Sequence, residues 1–326
     1  MTEVLPQFKI VTPDCVEAAI AALAGAPDAR ACAGGTDIVV ALRKGLSETG
    51  TLVDLTGIAA LRETATGADG GMVIGAGVTL AAIERMPEIG ERYPAIARAA
   101  AAVAGPTHRE VATLGGNLCL DTRCVYYNQS HWWRKSNDFC LKYRGDTCHV
   151  APQGNRCRAA FSGDMAPALM AHGAEIEIAG PDGTRRLPLA EFYHEDGAAH
   201  LALNPGEIVV AAHLPPAGGV SDYAKIRVRG AIDFPLAGVA VATEPGSAGT
   251  TFRIAVTGTN SKPLLVDFPD ALTGESNADA FFAAMQKAVQ KAVSPQRTTT
   301  IAPHYRRLSV SALTARVARG LVGLAA

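Results

Sequence analysis

A chain of 326 residues with 30 basic and 31 acidic side chains has a formal charge of −1, which excludes the strong basic bias of a nucleic-acid binder. Its 48% hydrophobic content and 33 glycines fit an ordinary globular chain of two or three domains. No stretch approaches the roughly 18 uninterrupted apolar residues of a spanning helix, and the first residues hold no basic or apolar signal region, so a cytoplasmic chain without a membrane partner is expected.

In chain order, Phe8 to Val11 reads as a short strand. Thr12-Pro13-Asp14 then opens an amphipathic helix to about Leu23, with proline at a first-turn position. A strand near Ala29 to Ala33 runs into Gly34-Gly35-Thr36-Asp37 and a helix from Ile38 to Lys44. Such a glycine turn lets backbone N–H groups crowd an anion at the helix start. Leu52 to Leu55 and Met72 to Ile74 read as strands, and Leu80 to Ile83 and Ala95 to Val103 as helices. A second glycine turn, Thr113-Leu114-Gly115-Gly116-Asn117, follows.

Next comes a 34-residue window holding Cys124, Cys140, Cys148 and Cys157, both tryptophans (Trp132, Trp133) and Tyr126, Tyr127 and Tyr143. Thiols at this density in a chain without a secretory signature point to metal or cluster ligation, because cytosolic disulfides are rare. The spacing C-x15-C-x7-C-x8-C lacks the C-x2-4-C pairs usual for structural zinc. Four thiolates from separated points of a wrapping loop suit an iron–sulfur cube. Cluster, zinc and unligated thiols all stay open on spacing alone. Cys15, Cys32 and Cys119 read as small buried hydrophobes. Between Arg123 and Arg158 stand seven basic residues, Arg123, Arg134, Lys135, Lys142, Arg144, Arg156 and Arg158, against Asp138 and Asp146. They either offset the charge of a thiolate-bound cluster or form a docking patch for an acidic redox partner.

Beyond the window, Pro167 to Ala171 reads as a short helix, Ala174 to Ile178 and Arg185 to Leu187 as a hairpin, and Glu207 to Leu214 as a strand. Pro215 to Gly219 reads as a linker. Strands are expected at Ala224 to Arg229, Ala237 to Ala242, Thr251 to Thr257 and Lys262 to Val266, with a helix from Asn277 to Val293.

Neither glycine turn matches G-x-G-x-x-G or G-x-x-x-x-G-K-[ST], which disfavours Rossmann and P-loop folds. Ala33-Gly34-Gly35-Thr36-Asp37-Ile38, then Val111 to Leu118, then Ser162-Gly163-Asp164-Met165-Ala166-Pro167 resemble in order and spacing the FAD-binding subunit of the molybdenum hydroxylases, the xanthine dehydrogenase and carbon monoxide dehydrogenase family. Lys225 and the stretch Arg229 to Leu236 extend the likeness to the whole chain. Asn117 and Asp164 are 47 residues apart here, whereas the ordinary pattern takes about a dozen, so the cysteine window is an insertion. The phrase Leu118-Cys119-Leu120-Asp121-Thr122-Arg123-Cys124 resembles the 4-hydroxybenzoyl-CoA reductase branch, which carries an extra [4Fe–4S] cluster beside its FAD.

The resemblance implies an α+β protein. It would comprise two α/β FAD-binding subdomains (1–57 and 58–216, with the insertion at about 119–160) and a smaller C-terminal α+β domain (217–326). It implies FAD with its pyrophosphate near Ala33, Gly34, Gly35, Thr36, Asp37 and Ile38, and with Thr113, Gly115, Gly116 and Asn117 on the other side. Asp164 would hold adenosine or ribityl hydroxyls, against the alternative of a helix N-cap. Val103, Ala104 and Gly105 would press on the ring, and Lys225 would face its polar edge. Glu110 stands where the family commonly has a neutral polar residue. Cys124, Cys140, Cys148 and Cys157 become the [4Fe–4S] ligands. The implied partners are a molybdopterin-binding large subunit, a [2Fe–2S] small subunit and a ferredoxin-like donor. The implied activity is electron transfer through [4Fe–4S] and FAD for reductive dehydroxylation of 4-hydroxybenzoyl-CoA, or the work of a related hydroxylase oxidising another aromatic or heteroaromatic substrate. A zinc-stapled interaction module is the reading from outside the enzymes.

Overall fold

The computed structural model describes residues 5–324. Three sheets follow one another along the chain. The first is parallel, with β1 (Lys9–Val11) and β2 (Ala29–Cys32) flanking β3 (Thr51–Asp54). Parallel neighbours need a crossover, and α1 (Val16–Ala24) and α2 (Ile38–Arg43) supply the two connections. β2 ends at Cys32, and Gly34-Gly35 make the turn into α2, as the sequence reading expects.

The second sheet is antiparallel, in the order β4 (Thr64–Thr66), β5 (Met72–Gly75), β8 (Ile208–Leu214), β6 (Glu175–Gly180), β7 (Gly183–Pro188). β6 and β7 are joined by the two-residue loop 181–182, and Gly183 takes a φ of +108° that side-chain-bearing residues rarely adopt. Between β5 and β6 the chain makes α3 (Leu80–Arg85), α4 (Pro87–Arg92), α5 (Pro94–Ala102), α6 (Pro106–Arg109), α7 (Leu114–Leu118), α8 (His131–Ser136) and α9 (Met165–Ala171). Proline opens α4, α5 and α6, where its missing N–H costs nothing.

The third sheet, β9 (Ser221–Ile226), β10 (Ala237–Gly246), β11 (Gly249–Thr257) and β12 (Leu264–Val266), is an antiparallel meander followed by α10 (Ala278–Ala292) and α11 (Pro303–Leu321). β10 is buried on both faces from Ala237 to Thr243, and its alternation there decides which core each residue joins. Ala240 and Ala242 face the core of the second unit, which includes residues of α5 and α9, while Ala237, Val239 and Val241 face α10 and α11. Small alanines let the Ala-rich helices approach closely, and valines fill the other side. On α10, Phe282, Met285 and Val289 form the buried stripe at helical spacing; each such side chain contributes about 1.5–3 kcal/mol on burial.

The mixed helix and sheet architecture agrees with the expected α+β class. The 19-residue α11 is absent from the sequence reading. Its buried face includes Arg306, Ser311 and Thr314, so the apolar period is broken. Arg306 is satisfied by the carbonyls of Leu236, Gln296 and Gly258. Among the described residues no helix is long and apolar enough to cross a membrane.

Candidate functional site, a flavin cradle beside a four-cysteine cavity

The first glycine turn packs on the approach to the second. A Cβ on Gly34 would lie 1.8 Å from the Val111 carbonyl oxygen, so only glycine permits this contact. Gly35 has φ +70°, the left-handed conformation that glycine adopts without penalty. Burial, and then the Asp54 carboxylate, push the Cys32 thiol up, with the Gly35 N–H pulling the other way. The N–H groups of Thr36, Asp37 and Ile38 donate to no backbone carbonyl, leaving the orphan donors expected at a helix start. Ala33 precedes them, half-buried at the end of β2.

The second segment differs from the expectation of a like turn. Thr113 is the N-cap of α7, and Gly115 and Gly116 lie inside that helix. Its amides are already engaged: Leu114 N–H donates to Val78 O at 2.9 Å, Gly115 N–H to Ala76 O at 2.8 Å, Gly116 N–H to the Thr113 hydroxyl at 3.1 Å, and Asn117 N–H to Thr113 O at 3.0 Å. This segment therefore offers surface and the Thr113 O–H, and no amide cradle. Gly115 serves close packing, since a Cβ there would meet Ala76 Cβ at 2.8 Å. Asn117 Oδ1 accepts from Met165 N–H at 3.0 Å, which pulls the third motif against the second.

Asp164 occupies the N-cap position of α9 but makes no capping hydrogen bond, which corrects the N-cap alternative. Its carboxylate instead accepts from the Tyr223 hydroxyl at 2.5 Å and from Lys225 Nζ at 3.0 Å. Burial pushes the Asp164 carboxyl up, against the opposing pull of Lys225 and Tyr223. Lys225 is buried, not a solvated strand lysine, and also donates to Asp233 O at 3.2 Å. Tyr223 escaped the sequence reading. Its position two residues before Lys225 on one strand, and so on the same face, was the available signal.

Val103 closes α5 and Ala104 follows with φ +44°; Ile232 has φ +51° and approaches Gly105, 3.4 Å from the Cβ a side chain there would carry. Two non-glycine residues in the left-handed region meeting at one point mark a locally strained site held by its surroundings. Glu110, one of the departures from the family pattern, is turned to the surface in a pair with Arg85.

Cys124, Cys140, Cys148 and Cys157 are each at most 8% exposed and line one small cavity, with Lys142, His149, Tyr126 and Tyr127 in its wall. Four points separated by up to 33 positions thus share one space. Cys140 sits between left-handed residues, Asp138, Phe139 and Arg144, and Gly145 returns so closely that a Cβ would stand 2.8 Å from Cys140 N. Burial pushes the Cys124 thiol up to about 11 and Cys157 to about 12, while backbone N–H groups of Tyr126, Tyr127 and Ala159 pull the other way. N–H groups aimed at sulfur stabilise a thiolate once a cation is present. Among the described residues no three His, Cys, Asp or Glu side chains are arranged to hold a metal ion. Cys119 lies against the main core, away from that cavity, and burial drives its thiol up to about 12.

The basic residues of the insertion do not form one free patch. Arg123 pairs with Asp37, Lys142 with Asp121 at 2.6 Å, Arg144 with Glu48 at 2.5 Å, and Arg156 with Glu195 at 3.3 Å. Arg134 is 1% exposed and donates to the carbonyls of Lys44 and Gly45 at the end of α2. Lys135 alone of these six stands exposed without such a partner.

Residues 6–217 match the model of the FAD binding domain in molybdopterin dehydrogenase. The chain belongs to the molybdenum hydroxylase FAD-binding subunit family. This flavoprotein subunit is 34% identical over 255 residues to the aldehyde oxidoreductase FAD-binding subunit PaoB of Escherichia coli K12, covering 75% of this chain and 79% of that one. It is 28% identical to the carbon monoxide dehydrogenase medium chain of Afipia carboxidovorans, over 73% and 69% of the two chains. In fold it superposes on a chain of reconstituted CO dehydrogenase from Oligotropha carboxidovorans with TM-score 0.77 at 21% identity, covering 99% and 100%. Quinoline 2-oxidoreductase from Pseudomonas putida 86 gives TM-score 0.77 at 21% identity, covering 98% of each chain.

Proposed function

We propose that this flavoprotein subunit transfers electrons between a [4Fe–4S] cluster in its insertion and FAD in its cradle, within a molybdenum hydroxylase complex. The observation that carries the reading is the gathering of four buried thiols round one cavity, in a chain whose family binds FAD. Four thiols at separated points of a wrapping segment, with no C-x2-4-C pair among them, favour a cube with four corner irons over a single zinc, and over a zinc-stapled interaction module. FAD exchanges electrons singly or in pairs, which suits it to stand between one-electron clusters and two-electron chemistry.

The residues have separable tasks. The free amides of Thr36, Asp37 and Ile38, with Gly34 and Gly35, would hold the flavin diphosphate at the start of α2. Thr113, Gly115, Gly116 and Asn117 would supply a close-packed wall. Asp164, fixed by Tyr223 and Lys225, would orient polar groups of the flavin, and Val103 and Ala104 would shield its ring. Cys124, Cys140, Cys148 and Cys157 would bind the cluster.

The substrate belongs to partner subunits, a molybdopterin-binding large one and a [2Fe–2S] small one. Two readings of the whole complex have support. The identity with an aldehyde oxidoreductase subunit favours oxidation of an aldehyde. The phrase from Leu118 to Cys124 with its insertion supports a 4-hydroxybenzoyl-CoA reductase supplied by a ferredoxin-like donor.

Anaerobically purified protein tests the cofactor reading through its absorption spectrum and its flavin, iron, acid-labile sulfide and zinc contents. About four irons and four sulfides per flavin are expected. Alanine at Cys124, Cys140, Cys148 or Cys157 should lower the iron, and alanine at Cys15 or Cys119 should not. Zinc in place of iron, or full iron in Cys148→Ala, would overturn the assignment.

A further inference from the structure

Arg123 is neither a cysteine of the cavity nor part of a glycine segment, yet it joins the two. It directly precedes Cys124, and its backbone is fixed to Ala160 in both directions, by N–H···O bonds of 2.7 and 2.8 Å. The two residues before it are clamped from the cavity side. Lys142, a wall residue of the cysteine cavity, donates to the Asp121 carboxylate at 2.6 Å and to the Thr122 carbonyl at 3.2 Å. From this anchored stem the guanidinium reaches the carboxylate of Asp37 in the first glycine turn and lies over the Phe234 ring, 4.7 Å from its centroid. Its Nε is buried without a partner, so the group is held by these contacts alone among the described residues.

Asp37 poses an electrostatic problem for the flavin site. A carboxylate there stands beside the free amides that would receive a doubly charged diphosphate, and like charges at such range disfavour binding. Arg123 cancels that charge. Its position is in turn tied to the loop that carries Cys124, Cys140 and Lys142, which includes three left-handed non-glycine residues, conformations that persist only where the surroundings hold them.

We infer that Arg123 is a positioning residue that couples the two redox sites: the loaded cysteine cavity holds Arg123 against Asp37 and thereby raises the affinity of the glycine turn for FAD. The inference rests on the cluster reading above. Linkage requires the reverse as well, so bound FAD strengthens retention of the cluster.

The test measures FAD affinity, by fluorescence titration, of full-length protein in cluster-loaded and iron-depleted forms, with iron and sulfide counted in each. In the wild type, iron removal should weaken FAD binding about tenfold, within the usual range of coupling between sites. In Arg123→Gln both forms should bind equally, as weakly as the iron-depleted wild type, and Arg123→Lys should restore part of the difference. Asp37→Asn removes the charge that Arg123 cancels, so iron removal should no longer weaken FAD binding there even where Arg123→Gln fails to fold. Equal affinities of the two wild-type forms, with iron verified in the loaded one, would overturn the coupling and leave the cluster reading intact. A full coupling in cluster-loaded Arg123→Gln or in Asp37→Asn would also overturn it. Wild type that holds no iron would remove the cluster reading, and this inference with it.

Discussion

Asp164 and Lys225 form an ion pair of 3.0 Å with each side chain 4% exposed, tying the segment after the cysteine insertion to β9. Breaking such a pair from one side leaves a buried charge without compensation and costs about 3–5 kcal/mol. Asp164→Ala should therefore lower the melting temperature by on the order of 10 °C. Asp164→Leu combined with Lys225→Met removes both charges and should be less destabilised than either single change. Thermal unfolding of the three variants checks this; additive losses would show that the two groups are not coupled.

The acid side of the stability curve should follow two buried histidines. Burial, with help from Arg253 and Lys142 respectively, holds His172 and His200 down to about 4. The unfolded chain takes up these protons near the ordinary value of about 6.5. Their stabilisation is thus full above pH 6.5 and is lost as pH falls towards 4, by up to about 3 kcal/mol for each. Melting temperature recorded from pH 8 to pH 4 should be flat and then fall, and His200→Gln should fall less steeply. An equally steep fall in that variant would place the proton uptake elsewhere.

Two glycines of the cradle should respond differently to substitution. Gly34→Ala sets a methyl group 1.8 Å from the Val111 carbonyl oxygen, so the turn must move and stability should drop by several kcal/mol. At Gly116 the new Cβ meets only the Thr113 hydroxyl, at 3.1 Å. Gly116→Val should leave a folded protein, by circular dichroism, with its extracted flavin reduced. Normal flavin content there would confine Gly116 to a packing role.

Arg134 and Lys135 are neighbours in sequence with opposite fates. Arg134 donates to the last carbonyls of α2 and lies over the Tyr143 ring, 4.7 Å from its centroid. Arg134→Glu would put an anion at a buried helix C-terminus and should cost about 3 kcal/mol or more in urea unfolding. Lys135→Glu should stay within about 0.5 kcal/mol of wild type. Only the latter is a clean probe of an electrostatically docked donor, read as a weaker salt dependence of the rate of cluster reduction.

The sequence by itself determined many of the strands and helices as far as α10, the turn at Gly34-Gly35 and the gathering of thiols between Cys124 and Cys157. These follow from local causes: turn glycines, hydrophobic period and the unusual density of thiols. The tertiary structure decided which groups are free. The amides of the second glycine segment are engaged because Ala76 and Val78, far back in the chain, lie alongside them. Asp164 is a buried ion-pair partner because β9 brings Tyr223 and Lys225 to it, 59 and 61 positions on. Arg134 is a buried donor because the insertion folds over the end of α2. α11 stayed hidden because its buried Arg306, Ser311 and Thr314 are polar, and Arg306 is satisfied by carbonyls from distant strands and loops. Composition and period report how a segment meets water on average; the partner of a single amide or charge depends on which remote backbone closes on it.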